Sequence, residues 1–257
     1  MNALSEGERV RSSRVEILKV GVDPVTMTEA LLQIESFIEK KSPHIVVTAD
    51  ASGIVAAQHD HVWMDILQNA DLVTPDSVGI LWASRKVGTP ISERVSGVDL
   101  VDEICKLSSE KGYRIYFLGA EPNVAERAAS KMSLRHPGVN IVGAREGFFT
   151  AKDETTVVAE IASTKPDVLL VAMGIPRQEK FISAHLYEIA ASVNIGVGGS
   201  FDVWSGNVKR APKLIQTMRL EWLWRTILNP KKWRKFMNLP VFWWKVMRAG
   251  KPTRTEI

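Results

Sequence analysis

Cysteine is almost missing from this chain: Cys105 is the only one among 257 residues, so no disulfide can form within the chain and no thiolate cluster can hold zinc. A reducing compartment is the expectation. No run reaches the roughly 18 uncharged apolar residues of a spanning helix, and residues 1–14 lack the apolar core of a signal peptide. The protein is therefore expected in the cytosol. The five histidines, His44, His59, His61, His136 and His185, form no zinc-like array beyond His59-x-His61, a pair expected at the solvent. Asp-x-Asp, the usual carboxylate pair for a metal–diphosphate complex, does not occur. Gly-x-Gly-x-x-Gly is absent as well, which weakens a nicotinamide reading, and no Gly-x-Ser-x-Gly supports a hydrolase triad.

What is present suits a globular chain with a sizeable core: 45% of residues are hydrophobic and 24% charged,. The net charge of +4 hides an asymmetry, since residues 1–208 carry 20 basic against 27 acidic side chains and residues 209–257 carry 13 against 2. Five of the eight tryptophans, Trp222, Trp224, Trp233, Trp243 and Trp244, lie in that basic stretch. Three parts are expected: a flexible N-terminus over 1–14, a body over 15–208, and a helical appendage over 209–257.

Short β-branched runs alternate with amphipathic segments through the body. This is the pattern of an α/β fold, a Rossmann-like, mostly parallel sheet with helices on both faces. Strands are expected at Val15–Val22, His44–Thr48, Leu72–Thr74, Arg114–Leu118, Asn140–Gly143, Val168–Met173 and Val193–Val197. Helices are expected at Thr26–Lys40, Ser52–Gln58, Gly79–Val87, Val98–Lys111, Asn123–His136, Lys152–Ser163 and Pro176–Glu188. After Gly206 the pattern is helical only, and Pro212, Pro230 and Pro240 divide it into about three short helices.

Such a sheet binds its ligand at the carboxyl ends of its strands, so the residues just after each strand are the first candidates. Glycine turns at Gly119-Ala120, Gly174 and Gly198-Gly199 put backbone N–H groups at helix N-termini, an arrangement that binds phosphate. Any one of them alone only turns a corner; three at one edge point to a nucleotide diphosphate. Asp76 follows a strand, where a carboxylate can act as general base toward a hydroxyl or simply cap the next helix. Thr48 and Asp50 end the neighbouring strand. Arg94 precedes a helix and can meet phosphate bidentately or pair with an acid. Gln178, in Pro176-Arg177-Gln178-Glu179-Lys180, can reach a ligand from a helix start, with Glu179 and Lys180 supporting the turn.

Read together, Val73-Thr74-Pro75-Asp76, Glu93-Arg94-Val95-Ser96-Gly97-Val98-Asp99-Leu100, Tyr116-Phe117-Leu118-Gly119-Ala120, Gly147-Phe148-Phe149, Gly174 to Phe181, Gly196 to Asp202, Val208 to Pro212 and Leu220 to Arg225 resemble the WecG/TagA/CpsF family of bacterial glycosyltransferases. The resemblance implies inverting, metal-independent transfer of an N-acetylmannosamine-type sugar, or its uronic acid, from a UDP donor. The implied acceptor is undecaprenyl-diphosphate-linked N-acetylglucosamine at the cytoplasmic membrane face. No cofactor is implied, and the UDP-sugar is a substrate. Carried over residue by residue, Asp76 is the base, Thr48 lines the pocket, and Arg94 and Gln178 hold donor or acceptor. Gly119, Ala120, Gly174, Pro176, Gly198, Gly199 and Asp202 border the substrates; Lys209, Arg210, Arg225, Lys232, Arg234 and Lys235 face the lipid diphosphate or the membrane. Two departures stand out. The family has asparagine where this chain has Asp50, which sets a second negative charge near Asp76, and glycine where it has Ser77. Lys232 and Lys235 offer point charges in place of guanidinium forks.

Basic groups interleaved with tryptophan on short amphipathic helices suit a lipid headgroup layer better than nucleic acid, because the apolar face also needs a partner. The expectation places the segment from Lys231 to Arg248 at the lipid and the helix from Pro212 partly on the body. Homo-oligomers are compatible with the sequence. Two rivals to the transferase are an NAD-type oxidoreductase and a non-catalytic adaptor in which Asp50 marks lost chemistry.

Overall fold

The computed structural model describes residues 14–209, 211, 212 and 238–249. Six strands form one parallel sheet: β3 (His44–Ala49), β4 (Leu72–Pro75), β5 (Arg114–Gly119), β6 (Asn140–Arg145), β7 (Val168–Ala172) and β8 (Val193–Gly196), in the order β4-β3-β8-β7-β5-β6. The expected Rossmann-like α/β architecture is what the chain adopts. β3, β4, β7 and β8 are buried along their whole length, as their mainly apolar sequences require.

One expectation is corrected at the start of the body. Val15–Val22 is not a single strand of the main sheet but a separate hairpin, β1 (Val15–Ile17) paired antiparallel with β2 (Val20–Val22). Leu18 and Lys19 make the turn at φ 50° and 67°, the left-handed pair that a two-residue hairpin loop requires. Neither is the glycine or asparagine that would announce such a turn. Arg14, assigned to the flexible N-terminus, instead holds this corner: its guanidinium donates to Asp23 Oδ1 at 3.1 Å and to the Ala70 carbonyl at 2.6 Å.

Alternate residues of each strand face opposite layers. On one side Val47, Leu118, Leu169 and Val171 pack under α2 (Ala51–Ala57), α3 (His61–Asn69), α4 (Val78–Lys86), α7 (Glu154–Ser163), α8 (Arg177–Ile189) and the terminal helix α10 (Asn238–Ala249). On the other, Val46, Phe117, Val168 and Leu170 pack under α1 (Met27–Lys40), α5 (Gly97–Lys111), α6 (Val124–Arg135) and α9 (Ser200–Trp204). Helix α1 opens on a reciprocal capping box, Thr26 with Glu29, worth about 1 kcal/mol. Helix α3 was not foreseen. It starts at the Asp60 cap and buries Trp63, Ile66 and Leu67, and the Trp63 indole donates to the Gly53 carbonyl at 2.9 Å. Cys105 is fully buried in α5, and burial, with the Asp102 charge nearby, pushes its thiol up to about 12. It is a packing residue.

Of the expected appendage, the last helix is described, and its position corrects the expectation that it lies wholly at lipid. α10 packs on α2 and α4 through buried Phe242 and Val246. Pro240 is its third residue, where no intrahelical N–H bond is lost.

Candidate active site

The chain leaves β3 and β7 toward one face of the sheet and leaves β8 and β5 toward the other, so the carboxyl edge opens into a crevice between them,. At the β3 and β4 end, backbone bonds fix three segments together: Asp76 N–H donates to the Ala49 carbonyl at 3.0 Å and Val95 N–H to the Pro75 carbonyl at 3.0 Å. This draws the loop carrying Arg94, and the first turn of α5, against the end of β4. Gly97 then lies beside both candidate side chains. A Cβ built on it would stand 3.4 Å from Thr48 Oγ1 and 3.6 Å from Asp76 Oδ2. Thr48 is buried and donates to the Gly196 carbonyl at 2.9 Å, whereas Asp76 and Arg94 are half-buried.

The capping alternative left open for Asp76 is decided here. The cap of α4 is Ser77, not Asp76: the Ser77 hydroxyl accepts from Ile80 N–H, and also from Ala51 N–H at 3.3 Å, tying α4 to α2. The departure at position 77 is thus a local brace. Asp50 caps α2, its carboxylate accepting from Gly53 N–H at 2.6 Å. Its extra charge therefore sits at the positive end of a helix, and an asparagine oxygen can accept the same bond.

The glycine turns behave differently from the phosphate cradle expected of them. Ala120 N–H donates to the Ala172 carbonyl at 2.7 Å, and Gly119, at φ 129°, has its Cα so close to Ala172 that a Cβ would meet backbone at 2.6 Å. Gly174 N–H and Gly198 N–H both donate to Gln178 Oε1, at 3.0 and 3.1 Å. Gln178 Nε2 donates to Glu179 Oε1 at 2.6 Å, and both side chains are 1% exposed. Gln178 is thus a buried clamp that holds the ends of β7 and β8 in register, not a side chain reaching for ligand, and those three amides are occupied within the protein. Of the other candidates on this rim, Gly199 is exposed and Pro176 and Asp202 are half-buried.

The sequence profile described as "Glycosyl transferase WecG/TagA/CpsF family" matches residues 15–256. The chain belongs to this family. Relatives carry the name N-acetylglucosaminyldiphosphoundecaprenol N-acetyl-beta-D-mannosaminyltransferase. One from Bacillus subtilis (strain 168) is 35% identical over 219 residues, 85% of each chain. One from Staphylococcus aureus (strain NCTC 8325) is 30% identical over 244 residues, 94% of this chain and 95% of the relative. The protein is a glycosyltransferase, and the oxidoreductase and adaptor readings fall away.

A hollow of this family member is lined by neither Thr48 nor Asp76. A cleft of about 540 Å³ lies along α8, lined by Phe149, Met173, Pro176, Arg177, Lys180 and Phe181. Its cations are already engaged: Lys180 pairs with Asp60 at 2.6 Å, and Arg177 donates to the Gly147 carbonyl at 3.0 Å. Lys209 is exposed at the end of the body. Arg210, Arg225, Lys232, Arg234 and Lys235 lie outside the described residues, as do the expected helices after Pro212 and Pro230. His59 and His61 are exposed, as expected. Gly97 was overlooked as a site residue, although a glycine directly after Ser96 at a helix start is the signal of close approach.

Proposed function

We propose that the enzyme transfers an N-acetylmannosamine-type sugar from a UDP donor to N-acetylglucosamine carried on a polyprenyl diphosphate, at the inner face of the membrane. The observation that carries this reading is the meeting of Asp76, Thr48 and Gly97 at the carboxyl edge of the sheet. The names of the relatives support the lipid-linked acceptor and a β-linked product. Asp76 takes the proton of an acceptor hydroxyl as that oxygen attacks the anomeric carbon. The bond from that carbon to the UDP oxygen breaks on the opposite side, the electron pair leaves with UDP, and configuration inverts. Gly97 brings no side chain, so the acceptor ring approaches Asp76 closely, and Thr48 forms the floor.

The side chains offered to the leaving diphosphate are Arg94 and the basic residues of the tail, and the absence of an Asp-x-Asp pair supports a reaction without metal,. Gly199 and Asp202 border the donor at the exposed rim of β8. Among the described residues no helix is long and apolar enough to cross a membrane, so a lipid-held acceptor is met from the surface. Asp50 keeps the cap that asparagine would give, which favours the donor class of the relatives over an altered one.

The test is release of UDP from a panel of UDP-sugars with a short-chain, diphosphate-linked N-acetylglucosamine lipid. The N-acetylmannosamine donor should turn over, with or without EDTA. Asp76→Asn should lose about 10²-fold or more in kcat while staying folded, the range for a lost general base. Full activity of that variant would remove Asp76 from the chemistry.

A further inference from the structure

Helix α10 is apolar on both sides. Phe242 and Val246 are buried against the body, yet Val241, Trp243, Trp244 and Met247 remain 39%, 54%, 54% and 49% exposed on the opposite arc. A helix side turned to water is ordinarily polar, and large apolar side chains grouped there mark an interaction surface. The patch does not end with α10. Trp82 of α4 stacks on Trp243 with ring centroids 5.8 Å apart, and Lys86 Nζ stands 6.0 Å from the Trp82 ring. The Arg248 guanidinium lies 5.0 Å from the Trp244 ring. Neither helix contains an aspartate or glutamate, while Arg85, Lys86, Lys245 and Arg248 supply four positive charges.

Exposed indoles beside cationic heads with no acidic side chain on either helix suit a fluid anionic interface, where the rings sit at headgroup depth and the cations meet lipid. A folded protein partner would need an acidic groove shaped around more than half a helical turn. We propose that α4 and α10 together form one docking surface for an anionic bilayer, so that the catalytic body itself, and not only the basic tail, rests on lipid. This rests on the proposed lipid-held acceptor. It adds that the element following Asp76 in the chain is part of the membrane contact.

The experiment compares the full-length wild type with Arg85→Glu/Lys86→Glu, and separately with Trp244→Ser, on vesicles of phosphatidylcholine with or without one part in four of phosphatidylglycerol. The double variant should partition onto anionic vesicles about tenfold or more weakly, because each exposed cation near such a surface contributes measurably. Its turnover of a water-soluble short-chain acceptor should stay within about twofold of wild type, which also shows that it is folded. Trp244→Ser should weaken binding to both vesicle types. Equal partitioning of wild type and double variant overturns the proposal while leaving the transferase reading intact. Should the wild type turn over the soluble acceptor but ignore vesicles, the surface is wrong and only the location of the reaction changes; no turnover of any lipid-diphosphate acceptor would sink the functional reading itself. A shift in sedimentation of the lipid-free variant, with vesicle binding unchanged, would assign the surface to a second copy of the chain and overturn the proposal.

Discussion

Along one edge of the sheet, two neighbouring pairs of strand ends are built in opposite ways. At β3 and β4 the end is left bare: half-buried Asp76 and the Thr48 hydroxyl flank Gly97, where an added methyl would meet them only at ordinary contact distance. At β7 and β8 the end is closed by Gln178 and Glu179, whose polar atoms are turned inward onto Gly174, Gly198 and each other. Where the β3–β8 ladder ends, a side-chain bond from Thr48 Oγ1 to the Gly196 carbonyl links the two. A glycosyltransferase needs both kinds of end. On the proposed function, the open pair would let a sugar approach Asp76, and the closed pair would keep the floor beneath it from moving.

The comparison breaks most visibly if the closed side is forced open. A Cβ on Gly196 would fall within contact of Gln178 Nε2 and Glu179 Oε1, so Gly196→Ala should cost about 1–3 kcal/mol of stability by overpacking and take activity with it. A lowered Tm together with lost turnover is the expected result. Unchanged Tm would show that the clamp yields easily. On the open side the same methyl should do the reverse. Gly97→Ala meets Thr48 and Asp76 at ordinary contact distance, 3.4 and 3.6 Å, so folding should survive while the acceptor is excluded. About a tenfold fall in kcat/KM, equivalent to roughly 1.4 kcal/mol, is expected with Tm unaltered. If both glycines respond alike, the contrast between the two ends fails.

Smaller effects sharpen it. His185 lies where α8 departs from helical geometry, bonded to Glu154 of α7 at 2.7 Å and to Glu188 at 3.1 Å. Burial disfavours its charged form, but the two carboxylates outweigh this and raise its pKa. Its contribution is therefore full below the unfolded value, about 6.5, and is lost as pH rises through the raised folded value. His185→Gln should lower Tm more at pH 6 than at pH 8, by no more than about 1 kcal/mol. The smallest change is expected at Asp50→Asn, since either residue caps α2: rate and donor preference should move less than about threefold, or 0.6 kcal/mol. A switch of donor would make position 50 a specificity residue after all.

The six parallel strands were legible to within two residues because short, mainly apolar runs bounded by turn residues leave few alternatives between amphipathic helices,. The hairpin was not, because Leu18 and Lys19 take left-handed backbone conformations that their side chains do not advertise. Helix α3 escaped notice because it follows α2 after a three-residue gap, although the Asp60 cap and the spacing of Trp63, Ile66 and Leu67 were there to be read. Motif matching placed Asp76 and Thr48 at the carboxyl edge of the sheet, where the structure has them, but could not tell a side chain at the rim from one turned onto its own backbone. Gln178 is the clearest case: only three-dimensional placement shows its carbonyl oxygen shared between Gly174 and Gly198.

Helix α4 has a consequence of another kind. It runs from the Ser77 cap, next to Asp76, to Lys86, nine residues in all, or about 13 Å at 1.5 Å per residue. A helix of that size is a spacer of fixed length between Asp76, the proposed base, and the cations Arg85 and Lys86 in its last turn. Choice of acceptor then becomes partly a matter of height. On the proposed reading, an acceptor hydroxyl has to lie within about one such helix length of the lipid-facing cations to be reached by the base.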